Sequence, residues 1–158
     1  MLQWCTSKLY VREATGRNDG PEIDAWNKAA GAAPRSFWCA TYQTAGQRAC
    51  GLPVPAGPAG SYNWFKPGSA RTYYIRGQRG AVDSLKAGHL VGFYYANLGR
   101  IGHIGRLQAP TRVARRGNAR GWTTLEGNTG SGGGRNGAGV HVLLRASWEF
   151  YAGANWSY

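Results

Sequence analysis

Four residues of this 158-residue chain have the side-chain types that nucleophilic catalysis requires. In chain order they are Cys39, His103, Glu126 and Asn128. A cysteine thiolate can attack an acyl carbon, an imidazole can hold and transfer the proton, and a carboxylate or amide can fix the orientation of that imidazole. These types in this order point to hydrolysis of an amide through a thioacyl intermediate.

Cys39 stands at the start of a predicted helix that runs from Cys39 to Cys50 and is ended by Gly51 and Pro53. The first backbone N–H groups of a helix have no intrahelical acceptor, and the helix dipole is positive at that end. Both effects lower the pKa of a thiol, and the same N–H groups can form part of an oxyanion hole. We therefore interpret Cys39 as the nucleophile.

His103 lies between Gly102 and Gly105 at the beginning of a predicted strand, and we interpret it as the base. Glu126 and Asn128 end a later strand and, being two residues apart, project to the same face of an extended chain. Either could reach His103; we favour Glu126 as the orienting residue and Asn128 as a supporting polar group. Taken singly, each of these residues is more often structural, so the prediction depends on their order and setting.

The predicted elements that must position these residues are helices first and strands afterwards, which is typical of an α+β domain. The length fits one domain, so we take 1–158 as a single catalytic domain. The predicted helices are Leu2–Ala14, a helix that begins at Pro21 and stops at Gly31, and Cys39–Cys50. The predicted strands are Leu90–Tyr95, Gly102–Leu107, Gly121–Leu125 and Val140–Leu144. The glycine-rich segment 131–139 lacks the spacing of a phosphate loop and predicts a flexible hairpin loop near the site.

The formal net charge of +12 predicts attraction to polyanions such as nucleic acid, anionic lipid or the acidic bacterial wall. The basic residues are scattered, and no basic helix or zinc-finger spacing accompanies them. Their densest group is Arg112, Arg115, Arg116 and Arg120. Nucleic-acid binding is therefore only a minor alternative, and we expect no nucleic-acid partner.

Three aromatic residues are candidates for contact with substrate: Trp38, Trp64 and Tyr62. Their rings could line a groove and stack on sugar or peptide. In a chain with 7 Trp and 9 Tyr, however, most aromatic side chains must serve packing, so the core is the better prediction for any single one of them.

The cysteines and the N-terminus set further limits. The three cysteines, Cys5, Cys39 and Cys50, allow at most one disulfide. A bridge between Cys5 and Cys50 would leave Cys39 free. We instead interpret Cys5 and Cys50 as small hydrophobic residues that are buried in the core. The spacing of cysteines and histidines gives no support to a zinc site. Residues 1–11 do not have the pattern of a signal peptide, and no apolar run is long enough to cross a membrane.

The motifs resemble those of the CHAP family of cysteine, histidine-dependent amidohydrolases and peptidases, within the wider NlpC/P60 group of cell-wall hydrolases. The resemblance runs from about Glu13 to Leu144. It is carried by the segments 13–24, Trp38-Cys39-Ala40, 85–89, Gly102-His103-Ile104-Gly105 and 124–129. It implies a papain-like fold, with N-terminal helices packed on a C-terminal antiparallel β-sheet, and hydrolysis of an amide in peptidoglycan by an amidase or endopeptidase.

The resemblance also implies the roles of the site residues and the surroundings of the protein. It assigns Cys39 as nucleophile, His103 as base, and Glu126 with Asn128 as polar partners. Some family members bind calcium through acids shortly before the cysteine, but residues 32–38 hold none, so we expect no metal and no cofactor. We expect a monomer that acts at the bacterial cell wall, with peptidoglycan as its substrate and an immunity or delivery protein as a possible partner.

Three other functions remain open. The chain could be a non-catalytic wall-binding module of the same fold, or a cysteine peptidase that acts on protein, since a fold and a triad do not fix the substrate. A polyanion-binding protein with an incidental thiol ranks last.

Overall fold

The structure is a computed structural model, and it describes residues 1–114 and 117–158. Two arginines of the densest basic group, Arg115 and Arg116, lie outside the described residues. Within those ranges the chain begins with helices and continues as a sheet, which confirms the α+β class.

The helices of the described chain are α1 (Leu2–Thr6), α2 (Pro21–Ala30) and α3 (Cys39–Ala49). For α2, the predicted start and stop are confirmed. Pro21 takes the first helical position after Gly20, and Gly31 ends the helix in the left-handed conformation, with φ of 75°. For α3, the predicted start at Cys39 is confirmed as well.

The predicted helix Leu2–Ala14 is wrong beyond Thr6. The chain passes through turns up to Tyr10, and the following residues pair with the far end of the chain instead. Val11 accepts a hydrogen bond from the backbone of Val140 at 3.2 Å, and Glu13 donates one to Ala138 at 2.8 Å. Because backbone groups that bond a distant strand cannot also bond within a helix, this tertiary pairing overrides the local pattern.

The strands form a six-stranded antiparallel sheet in the order β1-β6-β2-β3-β4-β5. Their bounds are β1 Thr72–Ile75, β2 Leu90–Tyr95, β3 Arg100–Val113, β4 Ala119–Thr129, β5 Gly139–Ala146 and β6 Ala152–Ala154. The prediction for β2 is confirmed at both ends, whereas β3, β4 and β5 are longer than predicted. Short 3₁₀ helices lie between the strands and before them, at Ser61–Phe65, Val82–Ser84, Ala96–Leu98 and Ser147–Glu149.

Helix α3 lies against the centre of the sheet, on β3 and β4. Trp38 and Tyr42 are fully buried there with Trp26 and Leu125. This packing fixes the start of α3, and therefore Cys39, above the strands that carry His103 and Glu126. No helix in the described ranges has the length and apolar character needed to cross a membrane.

Candidate active site

Cys39 is the first residue of α3 and lies at the floor of an open pocket. The pocket has a volume of about 340 Å³, and its walls include Phe37 and Ser61. The Sγ atom of Cys39 lies 3.3 Å from Oγ of Ser61, so the thiol has a hydroxyl partner on the side of the 3₁₀ helix Ser61–Phe65. Only 3 % of Cys39 is exposed, so the residue is shielded from bulk water although it lines the pocket.

His103 and Glu126 form a fully buried pair on the neighbouring strands β3 and β4. Nε2 of His103 lies 2.7 Å from Oε2 of Glu126. Gly105 makes room for the carboxylate, because a Cβ atom at this position would lie 2.9 Å from Cγ of Glu126. The carboxylate accepts a hydrogen bond from the Nε2–H group. In neutral imidazole the other ring nitrogen, Nδ1, is therefore the unprotonated acceptor.

Nδ1 of His103 is buried and has no hydrogen-bond partner within the described residues. The neighbouring group that acts on this imidazole is the thiol of Cys39, through a mutual interaction that favours the thiolate and the imidazolium. The structure therefore brings three of the predicted site residues together in the order thiol, imidazole and carboxylate.

Arg145 on β5 also holds the Glu126 carboxylate and shares its Oε2 atom with His103. Its Nε lies 2.8 Å from Oε1 and its Nη2 lies 2.6 Å from Oε2, which is a two-pronged ion pair with little exposure to solvent. Thr124 donates a further hydrogen bond to Oε1 at 2.6 Å. Every polar group of Glu126 is thus satisfied, as a buried carboxylate requires.

Sequence reasoning missed Arg145 and Ser61. Arg145 directly follows the predicted strand Val140–Leu144, and a charged residue in that position indicates that a nearby acid pairs with it. Ser61 gave no signal, because only the three-dimensional course of the chain brings residue 61 to the thiol.

These contacts shift the ionisation of all three groups. Burial opposes ionisation of Cys39, but the interactions with His103, Ser61 and the Ala40 amide outweigh it and lower the pKa of the thiol. Burial likewise opposes the charged form of His103, but Cys39 and Glu126 raise the pKa of His103 to about 9. Arg145 and His103 overcome the burial of Glu126 and lower its pKa to about 2.

A pH profile follows from these directions. If the site works as a thiolate–imidazolium pair, activity rises with pH as Cys39 ionises, below the ordinary thiol value of 9.0, and falls as His103 loses its proton near pH 9. We expect a bell-shaped dependence of kcat/KM whose two limbs belong to the coupled pair. The measurement is kcat/KM between pH 4 and 11; a profile that keeps rising above pH 10 would contradict a catalytic imidazolium.

Asn128 does not hydrogen-bond to His103. Its Oδ1 accepts from the Trp38 amide at 3.4 Å, and its Nδ2 donates to Asn18 at 2.8 Å and to Glu13 at 3.4 Å. The residue has a left-handed backbone, with φ of 57°, and the register of β4 with β5 shifts beyond Glu126. The expected same-face alternation therefore fails at this point, and Asn128 ties the segment before Cys39 to the loop that precedes α2.

The aromatic candidates fall in different places. Trp38 and Trp64 have no exposed surface, so the substrate contact predicted for them is corrected to a packing role. Trp38 packs against Trp26 at a ring separation of 6.0 Å, and Trp64 packs against Trp156 at 5.3 Å. Tyr62 is 42 % exposed and lines a neighbouring, more apolar pocket rather than the one that contains Cys39.

All three cysteines are free. Cys5 is buried as expected, whereas Cys50 is exposed because it follows the last turn of α3 at the surface. Among the residues that the structure describes, no group of three or more His, Cys, Asp and Glu side chains is arranged to hold a metal ion.

Comparison with protein-family models, with curated proteins and with solved structures finds no match to this chain. The chemistry available to the site therefore follows from its own geometry: a shielded thiol at a helix start, a buried imidazole beside it, and a carboxylate fixed by an arginine.

Proposed function

We propose that this protein is a cysteine hydrolase that cleaves an amide bond in bacterial peptidoglycan. The observation that carries the proposal is the buried Cys39, His103 and Glu126 array at the floor of an open pocket. The arrangement supplies a nucleophile, a proton carrier and an orienting carboxylate, which are the parts that acyl transfer requires.

The proposed reaction has two stages. The Cys39 thiolate attacks the amide carbon, and backbone N–H groups at the start of α3 stabilise the oxyanion that forms. The imidazolium of His103 then protonates the departing amine as the C–N bond breaks, which leaves a thioester and neutral imidazole. A water molecule, deprotonated by His103, attacks the thioester and releases the carboxylic acid and the thiol.

The choice of peptidoglycan depends on two features. The motifs around Cys39, His103 and Glu126 resemble those of CHAP hydrolases in cell-wall degradation. The net charge of +12 would concentrate the protein on an anionic wall through long-range attraction. On this proposal the papain-like fold of that family describes the domain, and its place of action is the bacterial cell wall.

The test is mass spectrometry of soluble fragments released from purified peptidoglycan of several chemotypes. The experiment uses the Cys50→Ala protein, because this variant lacks the exposed thiol that iodoacetamide would also modify. Cys39 is then the cysteine that lines the pocket and can react. We expect new amine and carboxyl termini with this protein and none after treatment with iodoacetamide. Absence of fragments from every chemotype would overturn the proposal; cleavage of casein in that case would identify a protein-directed peptidase, and wall binding without cleavage would identify a binding module.

A further inference from the structure

The mouth of the Cys39 pocket carries three arginines that the mechanism above does not use. Arg35, Arg100 and Arg135 all line this pocket. They come from three separate segments: the turn before Cys39, the start of β3, and the loop between β4 and β5. The fold thus gathers three positive charges around one opening that leads to a reactive thiol.

These arginines lack acidic partners. Within the described ranges, no carboxylate lies within salt-bridge distance of any of the three. The side chain of Arg100 donates a hydrogen bond of 3.4 Å to the carbonyl of the adjacent Ile101. Arg35 contributes to the lowered pKa of the Asp19 carboxyl, but the main cause is the pair of hydrogen bonds from Thr15 to that carboxylate.

Arg135 is held in place even though it has no counter-charge. Its guanidinium carbon lies 4.8 Å from the ring centre of Phe37 and 5.8 Å from that of Tyr95. A Cβ atom built at Gly102, the residue before His103, would lie 3.7 Å from Nη1 of Arg135. Cation–π attraction to these two rings therefore holds the guanidinium at the pocket wall, where no carboxylate of the described residues lies within salt-bridge distance of it.

We infer that this pocket recognises a carboxylate on the substrate, close to the scissile amide, through Arg135 with help from Arg35 and Arg100. The inference rests on the proposed function and names the substrate class of the same site: an acidic peptide amide. A planar guanidinium binds a carboxylate with two parallel hydrogen bonds, whereas the carboxamide of the same size offers one acceptor and no charge. The arginines also offset the repulsion between an anionic substrate and the Cys39 thiolate.

The experiment compares two muropeptides that differ in one group. Each contains a γ-linked glutamate, with its α-carboxyl either free or converted to the carboxamide. Binding is measured by calorimetry to the Cys39→Ala protein, and hydrolysis is measured with the wild type. We expect the free acid to bind about tenfold or more tightly, the range for one charge-assisted hydrogen bond. We expect Arg135→Gln to remove most of this preference, and Arg35→Gln and Arg100→Gln, on exposed residues, to remove less.

Arg120→Gln is the matched control, because Arg120 is 69 % exposed and pairs with Asp83 instead of lining this pocket. It should keep the preference. Equal binding of the two muropeptides to the Cys39→Ala protein, or an unchanged preference in Arg135→Gln, would overturn the inference. Preferential binding of the acid without hydrolysis by the wild type would instead overturn the proposed function and leave the inference standing.

Discussion

The Cys39→Ala protein is expected to fold and to lose at least about 10⁴-fold in kcat on peptidoglycan, the size of effect seen when a nucleophile is removed from a catalytic array. The two hydroxyl groups that line the described pocket, those of Ser36 and Ser61, do not hydrogen-bond to His103: its Nε2 meets Glu126, and its Nδ1 has no hydrogen-bond partner among the described residues. Folding should persist because the substitution removes one atom at a pocket floor, which costs about 1 to 2 kcal/mol of unfolding free energy.

The measurement is single-turnover release of wall fragments, with thermal unfolding as the check on folding. Cys50→Ala is the matched control, because it removes an equally small thiol from the exposed end of the same helix. It should retain wild-type activity. A folded Cys39→Ala protein that still released fragments would show that Cys39 is not the nucleophile.

Glu126→Gln is expected to lower kcat/KM by about 100-fold or more and to move the alkaline limb of the pH profile below pH 9. The carboxylate is one of the two groups that raise the pKa of His103 to about 9. A neutral amide does not stabilise the imidazolium as a carboxylate does, so the pKa of His103 falls. His103 then loses the proton that it gives to the leaving amine at a lower pH than in the wild type. The amide also permits the wrong imidazole orientation.

This substitution should also destabilise the fold, because it leaves the buried guanidinium of Arg145 without its main counter-charge. Breaking one partner of a buried ion pair costs about 3 to 5 kcal/mol. Glu149→Gln is the matched control, since Glu149 also contacts Arg145, at 3.5 Å, whereas the carboxylate paired with His103 is that of Glu126. Thermal unfolding and kcat/KM as a function of pH separate the two effects. A Glu126→Gln protein with an unchanged alkaline limb would show that this carboxylate does not tune His103.

The parts of the site that the sequence predicted were those with local signals. A helix that starts at Cys39 could be predicted because Pro34-Arg35-Ser36 leads into it and Gly51 and Pro53 mark its end. Strand β2 could be predicted because Leu90–Tyr95 is rich in residues that favour strands. The sequence left two candidates for the residue that orients His103, namely Glu126 and Asn128. The register shift at the end of β4 decides between them, and no local sequence pattern indicates that shift.

The parts that could not be predicted depend on tertiary packing. Strand β6 consists of Ala152, Gly153 and Ala154, which have no preference for strands, and it exists because it fits between β1 and β2. A tryptophan can either stack on a substrate or pack in the core, and the sequence alone does not distinguish these roles. The burial of Trp38 and Trp64 shows that both pack in the core. Arg145 reaches the site only through the pairing of β5 with β4.

The loop between β4 and β5 divides into positions that protein engineering must keep and positions that it can vary. Gly133 has φ of 82°, and its carbonyl accepts a hydrogen bond from Arg145 at 2.9 Å; a side chain there would collide with the same guanidinium. Gly137 is equally fixed, since a Cβ atom would lie 2.3 Å from the Gly130 nitrogen. Ser131, Gly132 and Asn136 are exposed. A library randomised at these three sites would change the chemical surface of this loop while the support of the Glu126 carboxylate stays intact.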